Sequence, residues 1–129
     1  MRYMLVVHAT KDSEAGRPPD PRLMAAVGES AEKLTKTGIM VATGGLLPSS
    51  MGSLVRVANG KVTITDGPFT EAKEILGGFA IVDVKSKDEA VEMSRQFFQL
   101  HADILGPSFV GSGEIRPMYS PEGCGQPAK

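Results

Sequence analysis

Four ionisable side chains and one aromatic ring fall within nine residues, Asp66-Gly67-Pro68-Phe69-Thr70-Glu71-Ala72-Lys73-Glu74, directly behind a β-patterned segment. A carboxylate beside a turn can take or give a proton. A lysine a few residues on can hold an anion or neutralise that carboxylate. The same string has a plain structural use, because Asp-Gly-Pro is turn chemistry in which the carboxylate bonds backbone N–H groups. Asp66 is therefore a candidate general base or ligand-binding carboxylate as well as a turn residue. Gly67 and Pro68 serve conformation. Phe69 is a candidate substrate contact and also a candidate core anchor. Lys73 and Glu74 are candidate ligand-binding residues, whereas Glu71 reads as solvated.

Other chemistry-bearing residues are scattered. His8 ends an apolar strand on the face of Met4 and Val6, where a lone histidine is either a satisfied structural residue or an acid–base group. A hydrogen bond between His8 and Asp66 would make the two an acid–base unit. Tyr3, also strand-borne, could offer a hydroxyl to a pocket, with packing as the default. Arg56 and Arg116 are strand arginines suited to an ion pair, a subunit contact or an anion, and Glu114 lies on the same face as Arg116. His101 fits helix capping. Two distant histidines and no close-set ligand group give no metal site, and no phosphate loop, nucleotide fingerprint or serine elbow is present. No cofactor is expected.

The elements that must position these groups follow from patterning. Tyr3 to His8 is a β-branched apolar run, a strand. Ala9 to Pro19 is a polar loop. Asp20-Pro21 caps a helix carrying Leu23, Val27, Ala31 and Leu34 at helical spacing, and Gly38 stops it. Ile39 to Thr43 is a second strand, ended by Gly44-Gly45. Leu54–Ala58 and Lys61–Thr65 flank Asn59-Gly60, a strong hairpin signal. A two-residue turn there pairs Val57 with Val62, Arg56 with Thr63 and Val55 with Ile64. Extending the alternation puts Asp66 on the side of Val62 and Ile64, the expected core side, where a carboxylate would be partly desolvated. Leu76 to Val84 is a further strand. Ser86 opens a capping box for a second long helix bearing Ala90, Ser94, Phe97, Phe98 and His101 on one stripe. Glu114 to Tyr119 is a last strand, and Pro117 puts it at an edge or an end.

This order predicts an α+β fold: a ferredoxin-like βαββαβ core with an added β-hairpin, helices on one sheet face and the other face in need of a cover. Dimerisation is the natural way to bury such a face if it is apolar. A chain of 129 residues, 41% apolar and 22% charged, suits one soluble domain over 1–119, with 120–129 a tail. A net charge of −1 gives no basic excess for nucleic acid. The single cysteine, Cys124, excludes an internal disulfide and suits a cytoplasmic location as a spectator thiol. The apolar run Met4–Val7 is too short for a signal sequence or membrane span.

The string TDGPFTEAKE from Thr65 to Glu74, followed by Leu76-Gly77-Gly78-Phe79, resembles the hallmark of DGPF-type, YCII-related proteins. Arg2-Tyr3-Met4-Leu5, Gly44-Gly45-Leu46-Leu47-Pro48 and Glu114-Ile115-Arg116-Pro117 are similar as well. The resemblance implies a dimeric α+β barrel in which two ferredoxin-like subunits face one another with a pocket in each. It also implies a small bacterial protein of unestablished reaction, in some cases linked to sigma factors. The wider group carries a proposed His–Asp pair. Asp66 matches the aspartate, but Leu23 and Met24 stand where the early-helix histidine belongs.

Two functions are expected on these grounds. One is a cofactor-independent acid–base enzyme acting on a compact anionic or carbonyl-bearing molecule by isomerisation, lyase chemistry or hydrolysis. Asp66 and His8 would move protons there, and Lys73, Arg56, Phe69, Glu74 and Tyr3 would bind. The other is a non-catalytic homodimeric ligand-binding or regulatory module. A third reading makes the Asp66–Phe69 turn purely structural, clamping the dimer.

Overall fold

The computed structural model describes residues 1–69 and 75–120. Its strands are β1 (Arg2–His8), β2 (Met40–Gly45), β3 (Ser53–Ala58), β4 (Lys61–Asp66), β5 (Leu76–Asp83) and β6 (Gly113–Pro117). Its helices are α1 (Lys11–Glu14), α2 (Pro21–Lys36) and α3 (Lys87–Leu105), with a 3₁₀ turn at Ser49–Met51. Four strands form an antiparallel sheet in the order β2-β5-β1-β6, the ferredoxin-like arrangement, while β3 and β4 pair only with each other. The fold is α+β, as the patterning implied. The open four-stranded sheet of one chain closes no barrel.

Local chemistry places the helices. Asp20 caps α2 through a 2.8 Å hydrogen bond from the Arg22 N–H, and Pro21 sits where no amide donor is needed. Gly38, at φ +80°, takes the left-handed conformation that ends the helix. Ser86 accepts from the Glu89 N–H at 3.3 Å to open α3, but Glu89 reaches back to the Lys85 amide rather than to that of Ser86. The expected polar loop after β1 contains the short helix α1, nucleated by a reciprocal Thr10–Ser13 capping box. That box lacks the Glu or Gln that usually signals it. Gly44 and Gly45 continue β2 instead of ending it.

The core lies between the sheet and the helices. Tyr3, Leu5, Val82, Val84 and Ala90 are its buried members, with Ile115 and Met93 packed against them. Strand alternation sends the intervening residues to the opposite face: Met4, Val6 and His8 on β1, Phe79 and Ile81 on β5, Glu114 and Arg116 on β6. The Phe79 ring lies over Gly44, its cross-strand partner, where a Cβ would stand 3.1 Å from it.

The hairpin has the register that Asn59-Gly60 dictates: Val57↔Val62, Arg56↔Thr63 and Val55↔Ile64, with both turn residues at positive φ. Its surroundings differ from expectation. The face of Val55, Val57, Val62 and Ile64 is not a core face within one chain, since Val57 is 74% and Ile64 71% exposed. The physical reason is the topology: the hairpin forms its own two-stranded sheet and stands off the body as an arm.

Candidate functional site

The bulge between Val7 and His8 ends regular pairing with β5 and leaves the histidine at the end of the strand. There the ring meets β6 and the segment leading into it. His8 Nε2 lies 3.0 Å from Glu114 Oε2, and Nδ1 lies 2.9 Å from Ser112 Oγ. The His8 amide also donates to the Ser112 carbonyl at 2.9 Å, so strand and loop are tied at two points. A carboxylate can only accept, so in the neutral ring the proton sits on Nε2 and the Ser112 hydroxyl donates to Nδ1. The His8 side chain is 17% exposed, sheltered but reachable.

Glu114 is held below the ordinary carboxylate range, first by its hydrogen bond with His8 and then by the charge of that ring and by Arg116. The Arg116 guanidinium approaches Glu114 to 3.5 Å along the same strand rather than across strands. Histidine, carboxylate and arginine thus form one strip beside the half-buried apolar side chains of Met4, Phe79 and Ile81. Such a strip can orient a proton carrier and offer a cation to an anionic group.

Asp66 is placed differently. It is exposed at the base of the arm, and its Oδ1 accepts from Ser53 Oγ at 2.7 Å across the β3–β4 pair. Both ring nitrogens of His8 are engaged elsewhere, so within one chain no hydrogen bond joins His8 to Asp66. The expected desolvation of Asp66 is absent from the single chain for the same reason that the arm's apolar face is bare.

The residues after Asp66 build a latch. The Gly67 amide donates to the Gly52 carbonyl at 2.9 Å, and Gly67 lies so close to the Ser49 carbonyl that a Cβ would collide with it. The Phe69 amide donates to Ser49 Oγ at 3.1 Å, and the ring edge reaches Gly52. Buried Ser49 is itself gripped by Glu14, whose carboxylate accepts from the Ser49 amide at 2.8 Å and from its hydroxyl. Phe69 is accordingly a packed anchor in one chain, and the Asp66–Phe69 turn fastens the arm to α1 and the 3₁₀ turn.

The remaining candidates divide. Tyr3 is 3% exposed in the helix-side core, on the sheet face opposite His8, so its position in one chain is a packing one. Arg56 is exposed on the arm, across from Thr63 and on the face away from the valines. Lys73, Glu74 and Cys124 lie outside the described residues. His101 bonds the Phe97 carbonyl at 2.9 Å within α3 and stacks among Phe97, Phe98 and Phe109, an internal structural role rather than a cap. Among the described residues no group of His, Cys, Asp and Glu could hold a metal, and no helix is long and apolar enough to cross a membrane.

The pairing of His8 with Glu114 was missed by sequence reasoning, although a signal existed. In a βαββαβ sheet the first and last strands are neighbours, and alternation puts both residues on one face.

Residues 1–102 match the profile of the YCII-related domain. The chain belongs to the YCII-related family. A protein of Rhizobium meliloti (strain 1021), described as uncharacterized, is 33% identical to it over 104 residues, covering 79% of each chain. This YCII-related protein therefore shares its family with a relative whose printed description assigns no reaction.

Proposed function

We propose that this YCII-related protein is a homodimer that handles a compact anionic or carbonyl-bearing molecule by acid–base chemistry, without a redox cofactor. The observation that carries this reading is His8, polarised between the Glu114 carboxylate and the Ser112 hydroxyl on a sheet face without helices. His8 moves the proton, Glu114 fixes the ring and its tautomer, and Arg116 holds the substrate's negative charge. Pairing two copies covers the half-buried apolar side chains of Met4, Phe79 and Ile81 and the bare valine face of the arm. The arm of one copy then brings Asp66 and Arg56 towards the pocket of the other.

The test is proton exchange. A panel of short 2-oxo acids in ²H₂O, followed by proton NMR, loses the signal of the C3 protons next to the ketone faster with wild type than with His8→Ala. A drop of about 100-fold matches the usual worth of a positioned acid–base group. Equal rates in both proteins would refute the reading, and light scattering at the mass of one chain would refute the dimer.

A second reading, a non-catalytic ligand-binding or regulatory module, is favoured by two observations: Asp66 is tied to Ser53, and α2 carries no histidine. Saturable binding of one of those acids, read by NMR line broadening without exchange in wild type, would select it.

A further inference from the structure

The segment entering β6 places one hydroxyl where a base can act on it. Ser112 is exposed, and glycines stand on both sides of it. A Cβ at Gly111 would come within 2.6 Å of the Phe109 ring, and one at Gly113 would strike the Val6 carbonyl and press on the Phe98 ring. The glycines let the loop lie close against the body, and Ser112 is the one side chain among these three residues that projects from it. Its oxygen is 2.9 Å from His8 Nδ1, while Glu114 holds the opposite ring nitrogen at 3.0 Å. Hydroxyl, imidazole and carboxylate thus stand in series. Ser112 also borders an open groove of about 590 Å³ on the α3 side of the sheet, whose other walls include Val91, Ser94, Arg95, Phe98, Phe109 and Ile115.

We infer that Ser112 is a nucleophile that His8 activates, and that it attacks the carbonyl carbon of an ester. This rests on the reading of His8 as the proton-moving group and adds a covalent step to it. Ser112 Oγ bonds to the ester carbonyl carbon as its proton passes to His8 Nδ1. The carbon–oxygen bond to the alcohol breaks, and the departing oxygen takes the proton from Nδ1. Water then attacks the acyl-serine, giving one proton to Nδ1, from which it returns to Ser112 Oγ as the acid leaves. Glu114 keeps the proton on Nε2 throughout and does not itself accept one.

The experiment uses a fluorophosphonate with an alkyl chain, which loses fluoride when a serine oxygen bonds to phosphorus, and peptide mass spectrometry to map the adduct. The expected result is modification at Ser112 in wild type, none at that position in Ser112→Ala, and labelling slowed about 100-fold in His8→Gln. Turnover of p-nitrophenyl butyrate should fall in parallel. Ser112 left unmodified, or modified equally fast in His8→Gln, would overturn the inference. A ¹⁵N spectrum of the wild-type imidazole separates the two failures. An Nε2–H ring with unreactive Ser112 sinks the nucleophile and leaves the proton-transfer reading standing. An Nδ1–H ring sinks both.

Discussion

The four-stranded sheet and the two-stranded arm are built from similar residues and meet opposite fates. Leu5 and Val82 of the sheet are buried in the core on its helix side, whereas the valines of the arm stand in water. The difference is not propensity, since both segments are β-branched, apolar and paired in antiparallel ladders. It is whether another layer lies within reach. An isolated two-stranded ribbon has no face that it can bury by itself. The arm therefore depends on its base, and that base is the latch of Glu14, Ser49, Gly67 and Phe69.

The largest expected effect separates the two regions directly. Leu5→Ala in the sheet should cost about 2–5 kcal/mol in urea unfolding, because it opens a cavity. Ile64→Ala on the arm should change the stability of the single chain by less than about 0.5 kcal/mol, as for an exposed site. Equal losses at a protein concentration low enough to keep the chains apart would mean that the arm packs within one chain, and would erase the distinction. Next comes the latch. Glu14→Ala removes the acceptor for the Ser49 amide and hydroxyl, and should cost about 1–3 kcal/mol by leaving buried donors unmade. An unchanged denaturation midpoint would show that the arm stands without it.

Val57→Asp sharpens the comparison from the other side. Stability of the single chain should move by less than about 0.5 kcal/mol. Light scattering should then report one chain in place of two, if the bare valines meet a second copy as proposed. The smallest effect concerns Glu114. Its folded-state acidity is raised, so its contribution to stability is in full force above the ordinary carboxylate value of 4.5 and fades as the pH falls below it. Thermal melts between pH 3 and 7, on the order of that range, should show a shallower acid limb for Glu114→Gln than for wild type.

Local signals carried most of the fold. Asn59-Gly60 with alternating flanks specified the hairpin to the residue pair, and Asp20-Pro21 and Gly38 bounded α2. What escaped were contacts between segments far apart in sequence. Glu14 and Ser49 are 35 positions apart, and nothing near either one announces the other. Alternation located the apolar face of the arm but could not say what would cover it, because a period-two pattern encodes sidedness and not neighbours. Among the residues of the proposed site, alternation puts His8 at the end of an apolar strand and Glu114 beside Arg116, but no local pattern marks Ser112. A serine between glycines looks like ordinary loop until the fold sets it beside an imidazole.

The grip on Ser49 makes the arm a lever with its fulcrum inside the body. Glu14 belongs to α1, which begins only a few residues after His8, and the Ala9 amide is bonded to the Ile75 carbonyl at 2.7 Å. A torque applied at the tip, near Asn59-Gly60, must either break the carboxylate's hold on Ser49 or pull on the backbone that carries the imidazole.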